Sequence, residues 1–185
     1  MKKNGVLTCR NKKIVVLLQP QIKIYIMKHL ILIAEEGERK LIERYLPQTD
    51  GEVLVTGVGA FNIMRSLRNI PLDTPVINIG YAGSSNFEIG TAVEVTEARL
   101  NHPQVTYPEP EYKLKPLSGL IADKKAVCYT GTDFVTQSTY KDCVFDMELA
   151  FIIGMGFSNA SAIKIVSDNL SLHDYRAFGQ GVEGI

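Results

Sequence analysis

Acidic and hydroxyl side chains gather in this sequence where apolar runs stop. Glu35, Glu36 and Glu38 follow Leu30-Ile31-Leu32-Ile33-Ala34, and Ser167-Asp168-Asn169 follow the run from Ala162 to Val166. Between them, Thr56 to Gly59, Gly80 to Gly83 and Thr130 to Val135 close three further runs. Desolvation at the end of an apolar strand is expected to raise the pKa of Asp168, whereas Glu38, at a helix start, is expected to stay ionised. Carboxylates in such places are candidates for proton transfer. Structural duties compete for the same residues. Glu36 and Glu38 favour a helix N-terminus through the macrodipole, Ser167 or Asp168 can cap a turn, and Gly80 with Gly83 can serve a tight bend.

Other chemistries fit poorly. Gly57-Val58-Gly59-Ala60-Phe61-Asn62 lies between a strand and a helix like a dinucleotide fingerprint, but Asn62 stands where the third glycine belongs and the strand is the second of the sheet. No glycine-rich turn runs into Lys-Ser or Lys-Thr, so no Walker loop is present. His102 and His173 have no nucleophilic Ser or Cys in a recognisable elbow beside them. Cys9, Cys128 and Cys143 are three thiols at unrelated spacings, which suits neither a disulfide framework nor a zinc site and points to a reducing cytoplasm. No metal and no cofactor are expected.

The elements that must hold these residues follow from periodicity. Leu30–Ala34 reads as a buried strand and Glu36–Tyr45 as a helix, with Leu41, Ile42 and Tyr45 at helical spacing. Val53–Thr56 reads as a second strand, followed by a helix with Ala60, Ile63, Met64 and Leu67 on one face and Pro71 beyond it. Val76–Gly80 is a third strand closed by Tyr81-Ala82-Gly83. Strands are also expected over Thr91–Ala98, Ala126–Thr130 and Ala162–Val166, and a helix over Met147–Met155. Asn101–Pro116, with four prolines, reads as a long irregular loop. Buried strands alternating with helices imply an α/β fold of three layers, α/β/α, around a mixed, largely parallel sheet, with ligands expected beyond the carboxyl ends of its strands.

At 185 residues, 45% hydrophobic and 22% charged, the chain suits one well-buried domain. Twenty basic and twenty acidic residues cancel, leaving no field to attract nucleic acid, so a small molecule is the expected partner. Residues 1–26 mimic the opening of a signal peptide, with Lys2, Lys3, Arg10, Lys12 and Lys13 before Ile14–Leu18. Gln19-Pro20-Gln21 and Lys23 break the apolar run well short of a membrane span, so no membrane role is expected. Residues 1–26 are therefore read as a peripheral extension and 27–185 as the domain.

Four segments carry a resemblance: Ile77-Asn78-Ile79-Gly80-Tyr81-Ala82-Gly83, Thr130-Gly131-Thr132-Asp133-Phe134-Val135, Phe145-Asp146-Met147-Glu148-Leu149-Ala150 and Ile165-Val166-Ser167-Asp168. Their order and spacing resemble those of the methylthioadenosine and S-adenosylhomocysteine nucleosidases, of the nucleoside phosphorylase and nucleosidase superfamily. The similarity runs from about Met27 to Phe178, and Ala34-Glu35-Glu36-Gly37-Glu38 resembles that family's opening strand with its glutamate cluster. The resemblance implies a cytoplasmic homodimer that cleaves the N-glycosidic bond of a purine nucleoside. Asp168 would then be the general acid at purine N7, and Glu38 would orient and deprotonate the attacking water, with Glu36 as its alternative. Glu148 would bind the ribose hydroxyls and Met147 pack on the sugar. Phe134 would stack on the base, the backbone of Val135 would read its edge, and Ser167 would hold Asp168. Gly80 and Tyr81 would also line the substrate, although Tyr81 stands where these nucleosidases commonly have a small hydroxyl residue. Relatives also generally continue past the region of Asp174–Phe178 into a further helix.

The same resemblance frames the choice between water and phosphate. The related bacterial phosphorylases carry one arginine in a Pro-Gly-Asp-Pro turn after the first strand and another at the start of their Val-Gly-Thr segment, and arginine is the residue that matches phosphate oxygens. Here Glu36-Gly37-Glu38 and Asn78 occupy those places, so hydrolysis is expected. A phosphate-dependent phosphorylase and a non-catalytic nucleoside-binding module remain the alternatives.

Overall fold

The computed structural model describes residues 29–47, 49–101, 112–117 and 122–181. The expected extension over residues 1–26 and His102 lie outside these. Strand β1 (Leu30–Ile33) is buried along its whole length and lies between β2 (Glu52–Val55) and β3 (Val76–Gly83), parallel to both. A 3-10 turn (Glu36–Glu38) leads from β1 into helix α1 (Arg39–Tyr45). Helix α1 buries Leu41, Ile42 and Tyr45, and burial of the two aliphatic side chains stabilises its docking by roughly 1.5–3 kcal/mol each. Helix α2 (Ala60–Leu67) follows β2 and buries Ile63 and Leu67.

Strands β4 (Ala92–Leu100), β5 (Tyr112–Lys113), β6 (Lys124–Thr130) and β7 (Cys143–Asp146) follow. Helix α3 (Leu149–Gly154), strand β8 (Ala160–Asp168) and helix α4 (Leu172–Gly181) complete the fold. The strand order is β2-β1-β3-β7-β6-β4-β5, and β8 pairs with both β3 and β4. Among the described residues five strand pairings are parallel and three antiparallel, so the sheet is mixed and largely parallel, as expected. It is not open between helical layers, however. The pairings of β8 close β3, β7, β6, β4 and β8 into a barrel from which β1 and β2 extend.

Closure explains the composition of the barrel strands. Ala82, Val93, Ala126, Cys128, Val144, Ala162 and Val166 share one buried cluster, and small side chains are what a narrow five-stranded interior admits. Two of the segments expected from the sequence differ in the structure. Tyr81-Ala82-Gly83 is not a bend but the end of β3, which continues alongside β8 to Asp168. The proline-rich stretch is not wholly irregular either, since Tyr112 and Lys113 pair antiparallel with Ala98 and Glu97 of β4. The short strand β7 was not expected.

Candidate active site

The ends of β1, β2, β3, β6, β7 and β8 converge on a cleft of about 180 Å³. Glu38 enters it from the 3-10 turn, Tyr81 from β3, Phe134 from the segment after β6, and Met147 and Glu148 from the turn between β7 and α3. Ser167 and Asp168 enter from the end of β8. Val135 lines a smaller adjoining cavity of about 30 Å³, together with Phe134, Met147 and Asp168. Gly80 is the one expected contact residue that lines neither.

Gly80 lies instead beneath a carboxylate. A Cβ built on it would stand 2.7 Å from Oε1 of Glu38, so only a glycine leaves room for that group. Glu38 is buried and its oxygens accept three backbone N–H bonds, from Ala34 (2.7 Å), Glu35 (3.1 Å) and Tyr81 (2.9 Å). Glu36 points away, exposed and paired with Arg39, so the turn selects Glu38 for the cleft. Asp168 repeats the arrangement three residues along β3, because a Cβ on Gly83 would stand 2.8 Å from its Oδ1. The Asp168 carboxyl accepts the Ser167 hydroxyl at 2.8 Å and the Leu170 N–H at 3.0 Å.

Glu148 is the third buried carboxyl. It begins α3 but turns away from that helix, and its Oε1 accepts the N–H of Gly59 at 2.9 Å. Gly59 has φ of 85° at the head of α2, a conformation that favours glycine and aims its N–H at the cleft. The start of α3 is capped by Asp146, whose Oδ2 accepts the N–H of Leu149 at 3.0 Å, and by Thr130, whose Oγ1 accepts the N–H of Ala150 at 2.9 Å. The Thr130 hydroxyl in turn donates to Oδ1 of Asp146 at 2.5 Å.

Burial pushes Asp168, Glu38 and Glu148 upward. Asp168 is raised by desolvation, which the Ser167 hydroxyl and the Leu170 and Ser171 N–H groups oppose only in part. Glu38 is raised as well, against the opposing pull of the Tyr81 N–H and the Lys164 ammonium. Burial thus works against the ionised state expected of Glu38 at a helix start, because the carboxylate is enclosed rather than exposed there. Glu148 is pushed up to about 7 by burial and by Asp146 and Glu38, with Lys164 and the Gly59 N–H opposing.

The aromatic residues form the outer wall. Tyr175 of α4 meets Phe134 edge-on at 5.9 Å, and Phe178 of the same helix meets Tyr81 at 5.5 Å and 85°. The Tyr81 ring thus leans on α4 while its backbone N–H serves Glu38.

Sequence reasoning did not single out Asp146, Lys164, Gly83 as a carboxylate seat, or Tyr175. Lys164 carried the one readable signal, a lone lysine amid Ala162-Ile163-Lys164-Ile165-Val166. Its Nζ lies 2.7 Å from Oδ2 of Asp146, both side chains being almost wholly buried. Among the described residues the cleft lining holds five carboxylates, Glu35, Glu38, Asp146, Glu148 and Asp168, and no arginine or lysine. Such a cleft can donate and accept protons and bind hydroxyl groups, but it repels anions.

No protein-family model matches the chain, and no curated protein matches its sequence. Solved structures do match. The methylthioadenosine/S-adenosylhomocysteine nucleosidase of Colwellia psychrerythraea, in complex with adenine, has a TM-score of 0.66 at 18% identity, covering 82% of this chain and 88% of that one. The corresponding nucleosidase of Helicobacter pylori, with butyl-thio-DADMe-Immucillin-A, has a TM-score of 0.65 at 16% identity over 85% of this chain and 92% of that one. The futalosine hydrolase of Helicobacter pylori has a TM-score of 0.64 at 15% identity over 83% and 91%. The barrel and its two flanking strands thus have the fold of these nucleosidases and of the futalosine hydrolase.

Proposed function

We propose that the chain hydrolyses the N-glycosidic bond of a purine nucleoside of the methylthioadenosine or S-adenosylhomocysteine kind, releasing free base and sugar. The observation that carries this reading is the seating of two buried carboxylates, Glu38 and Asp168, over two glycines of one strand. Gly80 and Gly83 are three residues apart, a spacing that faces opposite sides of a regular strand, but the register shift between Ala82 and Gly83 breaks the alternation, and both carboxylates line the one cleft. A purine anion leaves poorly, so an acid must neutralise N7 as the sugar becomes oxocarbenium-like, and a base must prepare water for attack. Asp168, raised by burial, supplies the acid, and Glu38 supplies the base. Glu148 binds the ribose hydroxyls, Met147 packs on the sugar, Phe134 stacks on the base and the Val135 backbone reads its edge.

Water is favoured over phosphate because the cleft lining is carboxylate-rich and cation-free. The Gly59 N–H at the head of α2, a natural seat for an anion, is already occupied by Glu148. Residues 27–185 act as one domain of a cytoplasmic protein. Among the described residues no helix is long and apolar enough to cross a membrane. We further propose a homodimer across α2, where Phe61 is 73% and Met64 48% exposed beside Val58, a residue of the cleft lining.

Incubation with methylthioadenosine, S-adenosylhomocysteine, adenosine, inosine and futalosine, with and without phosphate, followed by chromatography, tests the reading. Free base and free sugar in both buffers are the expected products, and strict dependence on phosphate would make the protein a phosphorylase. The second reading, a binding module, is favoured only by the bulk of Tyr81 in the cleft wall. It predicts ligand-induced thermal stabilisation with no product.

A further inference from the structure

We propose that Lys164 is a positioning residue, the internal cation that holds the carboxylates of the cleft together from inside the barrel. Strand β8 is buried along all nine residues and is otherwise built of apolar and small side chains up to Ser167 and Asp168. A buried ammonium is costly, and replacing a buried ion pair by apolar residues is often neutral or stabilising. A methionine would fill the same space, so packing alone does not account for the lysine.

Its surroundings do. Lys164 stands beside Gly80 in the β3–β8 register, and Gly80 is the seat of the Glu38 carboxylate. On the other side it pairs directly with Asp146, two residues before Glu148. Glu148 is faced by Asp146 from β7, Glu38 from the 3-10 turn, the Gly59 N–H from α2, Tyr175 from α4 and Lys164 from β8. Of these, Lys164 is the cation, and the three carboxylates otherwise repel one another. Burial works against the ammonium, but Asp146 and Glu148, together with the Cys128 thiol that faces it from β6, outweigh it and keep Lys164 charged. The charge lowers the pKa of both Glu38 and Glu148, which keeps more of each ionised near neutrality.

The inference rests on the glycosidase reading only for its kinetic consequence, so the test begins with a readout that needs no turnover. The carboxyl carbon of Glu148 is followed by 13C NMR over a pH series in the full chain, with Glu148→Gln identifying the signal. Lys164→Gln, which can still donate to Asp146, is expected to raise the Glu148 midpoint by about 1–3 pH units, whereas Lys164→Arg leaves it near the wild-type value. If Lys164→Gln alone does not fold, Asp146→Asn is compared with Asp146→Asn/Lys164→Gln, which leaves no unpaired buried charge at this pair. The double variant is then expected to show the higher midpoint. An unchanged midpoint on loss of the lysine charge, or an equal rise in Lys164→Arg, would overturn the proposal. Where the protein turns over nucleoside, the acidic limb of the kcat/KM profile is expected to move with the NMR midpoint. Absence of turnover with the midpoint shifted would count against the glycosidase reading alone.

Discussion

Glu38 and Asp168 owe their positions to what β3 lacks at Gly80 and Gly83. Gly80→Ala places a methyl group against Oε1 of Glu38, which must then leave some of its three N–H partners. Overpacking of this kind costs roughly 1–3 kcal/mol, and a displacement near 1 Å at a reacting group can lower the rate about a hundredfold. Gly80→Ala is therefore expected to lose much more turnover than its modest fall in Tm accounts for, as kinetics and thermal denaturation side by side would show. Glu36→Gln is the matched control. Its side chain is exposed and, among the described residues, bonded to Arg39, so turnover should stay at the wild-type level, and a large loss would move the base assignment from Glu38 to Glu36. The sequence announced these residues unevenly. Glu38 and Asp168 stand where apolar runs stop and are legible there, whereas the resemblance gives Gly80 only a substrate contact, because a close approach by another side chain leaves no mark on a glycine's neighbours. Asp146 and Lys164 come together only through the pairing of β6 and β8 with their neighbours, a long-range event that local periodicity does not encode.

The elements divide in the same way. Strands β1, β3 and β8 were readable from continuous apolar runs because they are covered on both faces. Strand β7, with four residues, is too short for a periodic signal, and α4 is polar enough to escape notice while still placing Tyr175 and Phe178 on the cleft wall. Barrel closure was missed because it depends on β8 choosing two partners far apart in sequence. At α2 the helical spacing identifies the buried Ile63 and Leu67, yet it also puts Met64 on that face, and the structure leaves Met64 exposed beside Phe61. If those two side chains form the dimer surface, Phe61→Glu should convert dimer to monomer without unfolding α2, whose buried contacts it spares. Sedimentation of the wild type and the variant checks this, and a wild-type monomer would remove the proposal.

For the molecule as a whole, three buried carboxyls with raised pKa values set the dependence of stability on pH. Glu148 rises from 4.5 to about 7, and Glu38 and Asp168 rise with it. Between the ordinary carboxyl range and about pH 7 the folded state thus binds more protons than the unfolded state, so stability falls as pH rises through that window. Glu148 alone corresponds to a loss on the order of a few kcal/mol by pH 8. Tm should accordingly be several degrees higher at pH 5 than at pH 8, and Glu148→Gln should flatten the difference. A Tm that climbs with pH over this range would contradict the burial of these groups. At the centre of the proposed function stands the transfer of a proton from Asp168 to a purine leaving group while water takes the sugar. Its most direct test is the rate of base release from methylthioadenosine in phosphate-free buffer by the wild type and by Asp168→Asn of unchanged Tm. A wild-type rate that falls about a hundred- to ten-thousandfold in the variant is the predicted result; equal rates in the two proteins, or no release by the wild type from any purine nucleoside, would contradict it.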